Sequence, residues 1–310
     1  MRAYSSDTGQ TSSHPGLERV LLDPLIDGGI DPPSFLIPDT LVCGYVHLLY
    51  GESGHGKTIL ALAWALEVMA RGEHVIFVDE ESGRLKIAGL LHDMGARGVD
   101  QLLHYLEMPG ISLNTMGSLL QYCDTVRPAL VIGDSVTDLL AISGLDDNAA
   151  VDVNTWFRYC ATPLVLRDYQ PALLLIDHVT KARDNLTHSA GSRQKRAKSG
   201  ILWHLNKTED FDRTRTGRIV LTNTKNNPGT LPPKLTYVVG GRDGRLICER
   251  WDPMSHEGSS IPVNARIVHE LLSEAGDAGM TNADIRDEFA RAQGFRPAAS
   301  SVRKWMQILE

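Results

Sequence analysis

Apolar residues along the first 180 positions come in short unbroken runs rather than in alternation. Residues 46–50, 74–79, 129–134 and 171–178 are the clearest, and the last three end in acids: Asp79, Asp134 and Asp177, the last followed by His178. A strand-length run with no polar alternate has both faces buried, which is the mark of a parallel sheet covered by helices on each side. A weaker strand is predicted near 102–106. Helices are predicted between the strands. One over 59–70 is nearly apolar all round and is stopped by Gly72. Others cover 82–94, 113–126 before Pro128, and a stretch from the polar loop 144–148 to near Tyr169. Each buried Leu, Ile or Val contributes about 1.5–3 kcal/mol, so these runs must be central.

After His178 the pattern changes. Residues 181–199 are polar and basic. Short alternating runs at 201–203, 218–222, 235–239 and 245–248, separated by Gly and Pro, then predict an antiparallel β-meander. From about 260 a separate helical unit is expected, occupying 260–310. Val263, Ile267, Val268, Leu271 and Leu272 form one stripe. Thr281-Asn282-Ala283-Asp284 opens a second helix as a capping box, with Ile285 and Phe289 inside. A third helix after Pro297 places Val302, Trp305, Met306 and Leu309 on one face and Ser300, Arg303, Lys304 and Gln307 on the other. At the other end, residues 1–30 are expected to be a flexible tail, and the prolines near 32–33 an extended segment draped over the core formed by 31–255.

Composition narrows the class. The chain has 310 residues, 42% hydrophobic and 22% charged, with net charge −7. An acidic chain is not a basic nucleic-acid coat, so any nucleic-acid site is local. Cys43, Cys123, Cys160 and Cys248 are scattered, without metal-ligand spacing, and fit reduced thiols of a cytoplasmic protein. Residues 1–16 lack the apolar core of a signal peptide. No apolar run approaches the ~18–20 residues of a membrane span, and no membrane association is expected.

The candidate chemistry centres on Gly51-Glu52-Ser53-Gly54-His55-Gly56-Lys57-Thr58, which fits G-x-x-x-x-G-K-[ST] between a strand and a helix. Glycines let backbone N–H groups close round a phosphate chain, the helix N-terminus adds partial positive charge, and Lys57 adds a full one. Thr58 would place a hydroxyl on Mg²⁺. These features predict a nucleotide-binding protein. Asp134 ends a distant apolar strand, where a Walker B aspartate would complete the Mg²⁺ shell, and Ser135, not a glutamate, follows it. The water-activating carboxylate is therefore sought in Asp79-Glu80-Glu81, at the end of the strand after the P-loop helix, with Glu81 preferred to Glu80. The plain alternative is that these acids only complement the next helix's N-terminus.

This layout resembles the RecA-like ATPases, and within them the hexameric RepA-type plasmid helicases and related phage or mobile-element proteins. Pro32-Pro33, the P-loop, Glu81 and Asp134-Ser135 match that plan in order. The resemblance implies an α/β RecA-like P-loop NTPase with a mostly parallel sheet and a C-terminal β-meander. It implies ATP and Mg²⁺ as ligands, and His178 as the reporter of the γ-phosphate. Thr224-Lys225-Asn226-Asn227-Pro228-Gly229 resembles the segment that reaches into a neighbouring subunit's site. Asn227 stands where an arginine is common, leaving Lys225 or another residue such as Arg242 as the trans-acting finger. The basic loop, with Lys181, Arg183, Arg193, Lys195, Arg196 and Lys198, would face single-stranded DNA in a homo-oligomer, a hexamer being favoured. A solvated charge run is the alternative. The C-terminal unit resembles a winged-helix or helix-turn-helix module, with Arg303 and Lys304 towards duplex DNA, or else a subunit-packing unit. The function expected is a DNA-directed ATPase, a ring-forming helicase or replication protein. The alternatives are an ATP-switched DNA-binding regulator and a non-hydrolysing assembly protein.

Overall fold

The computed structural model describes residues 22–27, 32–107, 110–179, 193–251, 268, 271–273, 275, 280–293 and 299–309. Nine strands form one sheet. The P-loop strand β3 (Val46–Gly51) lies near its middle. On one side run β7 (Ala172–His178), β6 (Leu130–Asp134), β4 (Val75–Asp79) and β5 (Leu103–Glu107), all parallel. On the other side run β8 (Ile201–Glu209), β9 (Thr216–Asn226), β10 (Lys234–Arg242) and β11 (Arg245–Arg250). The two halves meet at β8. It was expected as the first antiparallel strand of the meander, but it pairs parallel to β3 and antiparallel only to β9. Its inner residues Ile201, Leu202, Trp203 and Leu205 are all buried, so the strand needs a partner on each edge.

Successive residues of the central strands feed two cores, as the period of two requires. Leu49, Phe77, Ile132, Leu174 and Ile176 pack with α2 (Lys57–Met69) and α3 (Arg84–Asp93). Leu48, Tyr50, Ile76, Val78, Val131, Leu173 and Leu175 pack on the opposite face. There they meet α4 (Met116–Val126), α5 (Val136–Ile142), α6 (Ala150–Trp156) and α7 (Thr162–Val165). A π-turn over Phe157–Ala161 joins α6 to α7, so the helix expected to end near Tyr169 stops at Val165. The final helix of the core, α8 (Arg193–Lys198), leads directly into β8.

Before β3, Leu36, Ile37, Leu41 and Val42 of the proline-led segment pack against the core, and a short helix lies within the stretch expected as a tail. This helix, α1 (Asp23–Asp27), is followed by an antiparallel pair, β1 (Phe35–Ile37) and β2 (Leu41–Val42). In the C-terminal unit, α9 (Asn282–Gln293) and α10 (Ala299–Leu309) enclose Val268, Ile285, Phe289 and Val302. The capping box forms: Thr281 donates from its hydroxyl to the Asp284 carboxylate at 2.6 Å, and the Asp284 N–H donates back at 3.2 Å. Val263 and Ile267 of the expected stripe lie outside the described residues. No helix among the described residues is long and apolar enough to cross a membrane.

Candidate functional site

Parallel strands that end at one sheet edge bring their C-terminal residues together, and here that edge holds most of the candidate chemistry. The pocket above it is lined by Ser53, Gly54, Gly56, Lys57, Thr58, Glu81, Asp134 and His178, with Ile59, Lys86 and Leu90 at its flank. Gly51 ends β3. His55 Nε2 lies 3.3 Å from the Glu52 carboxylate, its Nδ1 accepts from the Lys207 N–H at 3.3 Å, and burial lowers its pKa. Gly54 and Gly56 have φ of 76° and 94°, a region that a side chain disfavours. Gly56 is under a second constraint: a Cβ there would sit 3.0 Å from the Phe211 ring.

The Lys57 ammonium donates to the Gly51 and Glu52 carbonyls, at 2.9 and 3.0 Å, and approaches His178 Nδ1 at 3.5 Å. Burial holds it below the usual lysine range, although Asp134, Glu81 and Asp177 act in the opposite direction. His178 Nε2 lies 3.2 Å from the Glu81 carboxylate. An Nε2–H tautomer satisfies both contacts, accepting from Lys57 and donating to Glu81. Lysine, imidazole and carboxylate thus form one continuous chain.

Thr58 donates to Asp134 Oδ2 at 2.8 Å. The other oxygen, Oδ1, is buried without a hydrogen-bond partner. Burial pushes the Asp134 carboxyl up to about 7, with Glu81 and Asp79 adding to the rise. A buried, half-satisfied carboxylate beside a hydroxyl suits a hard divalent cation, whose charge would offset that desolvation. The residues present therefore fit Mg²⁺.

The three acids at the end of β4 divide their work. Asp79 is buried and accepts from the N–H groups of Glu81, Ser82 and Gly83 at 3.1, 2.7 and 2.8 Å, and from the Tyr105 hydroxyl at 2.7 Å. It is the acid that complements the start of α3. Glu80 accepts from the Gly110 N–H at 2.7 Å, and burial raises its pKa. Only Glu81 turns into the pocket. The sequence pattern favours Glu81 over Glu80 but does not single out Asp79 for the helix start, and it gives no sign of Tyr105. Lys86 and Leu90, four apart on α3, share the face towards the pocket, a spacing that the sequence does show.

Two of the expected contact residues have partners within the chain. Lys195, placed by sequence among DNA-facing residues, is fully buried. Its ammonium donates to Thr137, Asp147 and Asp177 at 3.0, 3.1 and 3.3 Å, because the buried Asp177 carboxylate requires a cation, which the partly exposed Asp147 also meets. Lys225, the proposed finger into a neighbour, donates within its own chain to the carbonyls of Arg196, Ala197 and Ser199 at 3.1, 2.8 and 2.7 Å. Those carbonyls are orphans of the C-terminus of α8, and a cation satisfies them. Arg193 and Lys198 are exposed on α8, and Arg196 is half-buried. Arg242 lies across β10 and β11 in a 2.6 Å ion pair with Glu249. Arg303 is exposed on α10, while Lys181, Arg183 and the Lys304 side chain lie outside the described residues.

The chain resembles known proteins of this type. DNA repair protein RadA from two strains of Mycobacterium tuberculosis (CDC 1551 / Oshkosh and ATCC 25618 / H37Rv) is 28% identical over 155 residues. The match covers 49% of this chain and 31% of RadA, so the chain spans about a third of the length of those relatives. The crystal structure of flagellar accessory protein FlaH from Methanocaldococcus jannaschii aligns with TM-score 0.47 and 16% identity, over 75% of this chain and 96% of FlaH. A P-loop on β3, with β7 between it and β6, and helices on both sheet faces make this an α/β RecA-like P-loop NTPase fold. The family model described as AAA domain matches residues 15–184, more than half of the sequence, and this chain belongs to that family of P-loop ATPases.

Proposed function

We propose that this chain hydrolyses ATP in a DNA-dependent manner as a ring-forming, RepA-type helicase or replication protein. The observation that carries the reading is the continuous arrangement of Lys57, His178 and Glu81 beside Thr58 and Asp134 at one sheet edge. The amides of residues 53–58 and the Lys57 ammonium bind the phosphates. Thr58 and Asp134 would hold Mg²⁺, which would supply positive charge to the phosphate chain. Glu81 accepts the proton of the water whose oxygen attacks the γ-phosphorus as the bond to the β-phosphate oxygen breaks, leaving ADP and phosphate. His178, held between Lys57 and Glu81, senses whether the γ-phosphate is present. DNA as partner is supported by the name of the RadA relatives and by the exposed Arg193 and Lys198 of α8. The C-terminal unit, with Arg303 outward, serves as a duplex-binding or packing module.

A second reading, an ATP-switched regulator with slow turnover, has its own support. Lys225 is engaged in cis and Asn227 carries no charge, so the trans-acting cation, worth ~10³–10⁵ in rate elsewhere, has no assigned source. One experiment separates the two. ATP turnover is measured with and without single-stranded DNA, for the native chain and Glu81→Gln, alongside the mass of the assembly with ATP. The helicase reading expects stimulation by DNA, a ring mass, and a loss of roughly 10²–10⁴-fold in Glu81→Gln with nucleotide still bound. Turnover indifferent to DNA rejects it in favour of the regulator.

A further inference from the structure

Asp177 is the last residue of β7 before His178, and it is fully buried. Its Oδ1 accepts from three groups: the His178 backbone N–H at 2.9 Å, the Thr137 hydroxyl at 3.3 Å and the Lys195 ammonium at 3.3 Å. Its Oδ2 is buried with no hydrogen-bond partner. The main chain of His178 and the side chain of Lys195 are therefore held on one atom. Lys195 belongs to α8, whose other end is fixed by Lys225 through three carbonyls. Asp147 and Thr137, from the segments around α5 and α6, complete the cation's shell.

We infer that Lys195 and Asp177 are positioning residues: they set where His178 stands relative to Lys57 and Glu81, and so tie the seating of α8 to the γ-phosphate end of the site. The physical ground is that the six described residues of α8 are too few to hold a place by their own hydrogen bonds. Its location comes from its anchors, and the interior anchor is the carboxylate that fixes His178. A shift of α8 must either carry Asp177 with it or separate a buried lysine from a buried aspartate, which the interior strongly resists. The outward face of α8 carries Arg193 and Lys198, so an anionic partner bound there acts on the same linkage.

This inference rests on His178 acting in turnover, and the test distinguishes the two. The full-length variants are Lys195→Met, His178→Ala and their combination. Asp177→Asn/Lys195→Met is added because it removes both buried charges and should fold if the single change does not; it too is combined with His178→Ala. ATP turnover and KM are measured for each, with folding checked by circular dichroism. We expect Lys195→Met, or the charge-free pair in its place, to lower kcat by roughly 10- to 100-fold, the scale of a misplacement near 1 Å. KM for ATP should hold, since no ground-state contact to nucleotide is removed. With His178→Ala in the background, the same change should lower kcat no further. Losses that multiply in that background, or native turnover in folded Lys195→Met, overturn the inference while leaving His178's role standing. Native turnover in His178→Ala alone overturns the underlying reading, and this inference with it.

Discussion

Replacing Asp79 by asparagine tests whether Glu81 is placed by its neighbour. The Asp79 carboxylate accepts from three successive backbone N–H groups and one phenol, and it is only 3% exposed. Asparagine keeps one acceptor oxygen and loses the charge, so at least one of these partners loses its bond and the rest weaken. A hydrogen bond to a charged group contributes about 1.5–3 kcal/mol, and the favourable position at the start of α3 adds about 0.3–1 kcal/mol. Part of this is regained because the N–H groups of Glu81 and Gly83 are near solvent. A net loss of about 2 kcal/mol is expected in urea-unfolding experiments. The functional effect should be larger, because the turn that carries Glu81 is no longer fixed. We expect kcat to fall by roughly 10- to 100-fold with nucleotide affinity kept. Tyr105→Phe, which removes one contact, should cost about 1 kcal/mol and much less activity. An Asp79→Asn protein with native turnover would show that Glu81 is held by something other than this turn, and the reasoning would fail.

Two further outcomes follow from groups away from the pocket. His47 is fully buried and burial lowers its pKa to about 4 from an ordinary 6.5. The unfolded chain therefore takes up a proton first on acidification. Stability is constant with respect to this group above about pH 6.5 and falls by about 3 kcal/mol as pH drops towards 4, a shift of 2.5 at 1.36 kcal/mol per unit. The urea midpoint measured against pH should lose that segment of slope in His47→Gln, and an unchanged slope would exclude His47 as its source. Lys225→Met should lower the stability of the dilute, unassembled chain by about 1–3 kcal/mol, because three carbonyls lose their donor. A lysine that worked only on a neighbour would leave that stability unchanged.

Much of this architecture is legible in the sequence, for a definite physical reason. Strands buried on both faces have no polar alternate, so β3, β4, β6 and β7 stand out as apolar runs, and the acids at the ends of β4, β6 and β7 mark the functional edge of the sheet. Glycines at 54 and 56 are required by backbone conformations that the motif itself encodes. What escaped the sequence is long-range pairing. Lys195 looks like any other residue of a basic run. Its burial depends on Asp147 and Asp177, which are brought to it only by the fold. Lys225 fits a trans-acting segment by sequence and is drawn to α8 by carbonyls close in space alone. Likewise β8 has the alternation of a meander strand at its outer end, while its inner end is apolar enough to join the parallel half.

That double pairing of β8 carries a consequence for the phosphate loop. Gly51 stands opposite Leu205 in the register of β3 and β8. Past the end of that pairing, the connection between β8 and β9 brings the Phe211 ring over Gly56 and lets Arg213 reach Asp93 of α3 at 3.0 Å. The loop is thus moulded from outside by residues some 150 positions later in the chain. Residues 46–70 transplanted alone would keep the motif and lose its mould. Conversely, lengthening the 210–215 turn, a change that surface hairpins usually tolerate, should here alter a nucleotide site that it never touches in sequence.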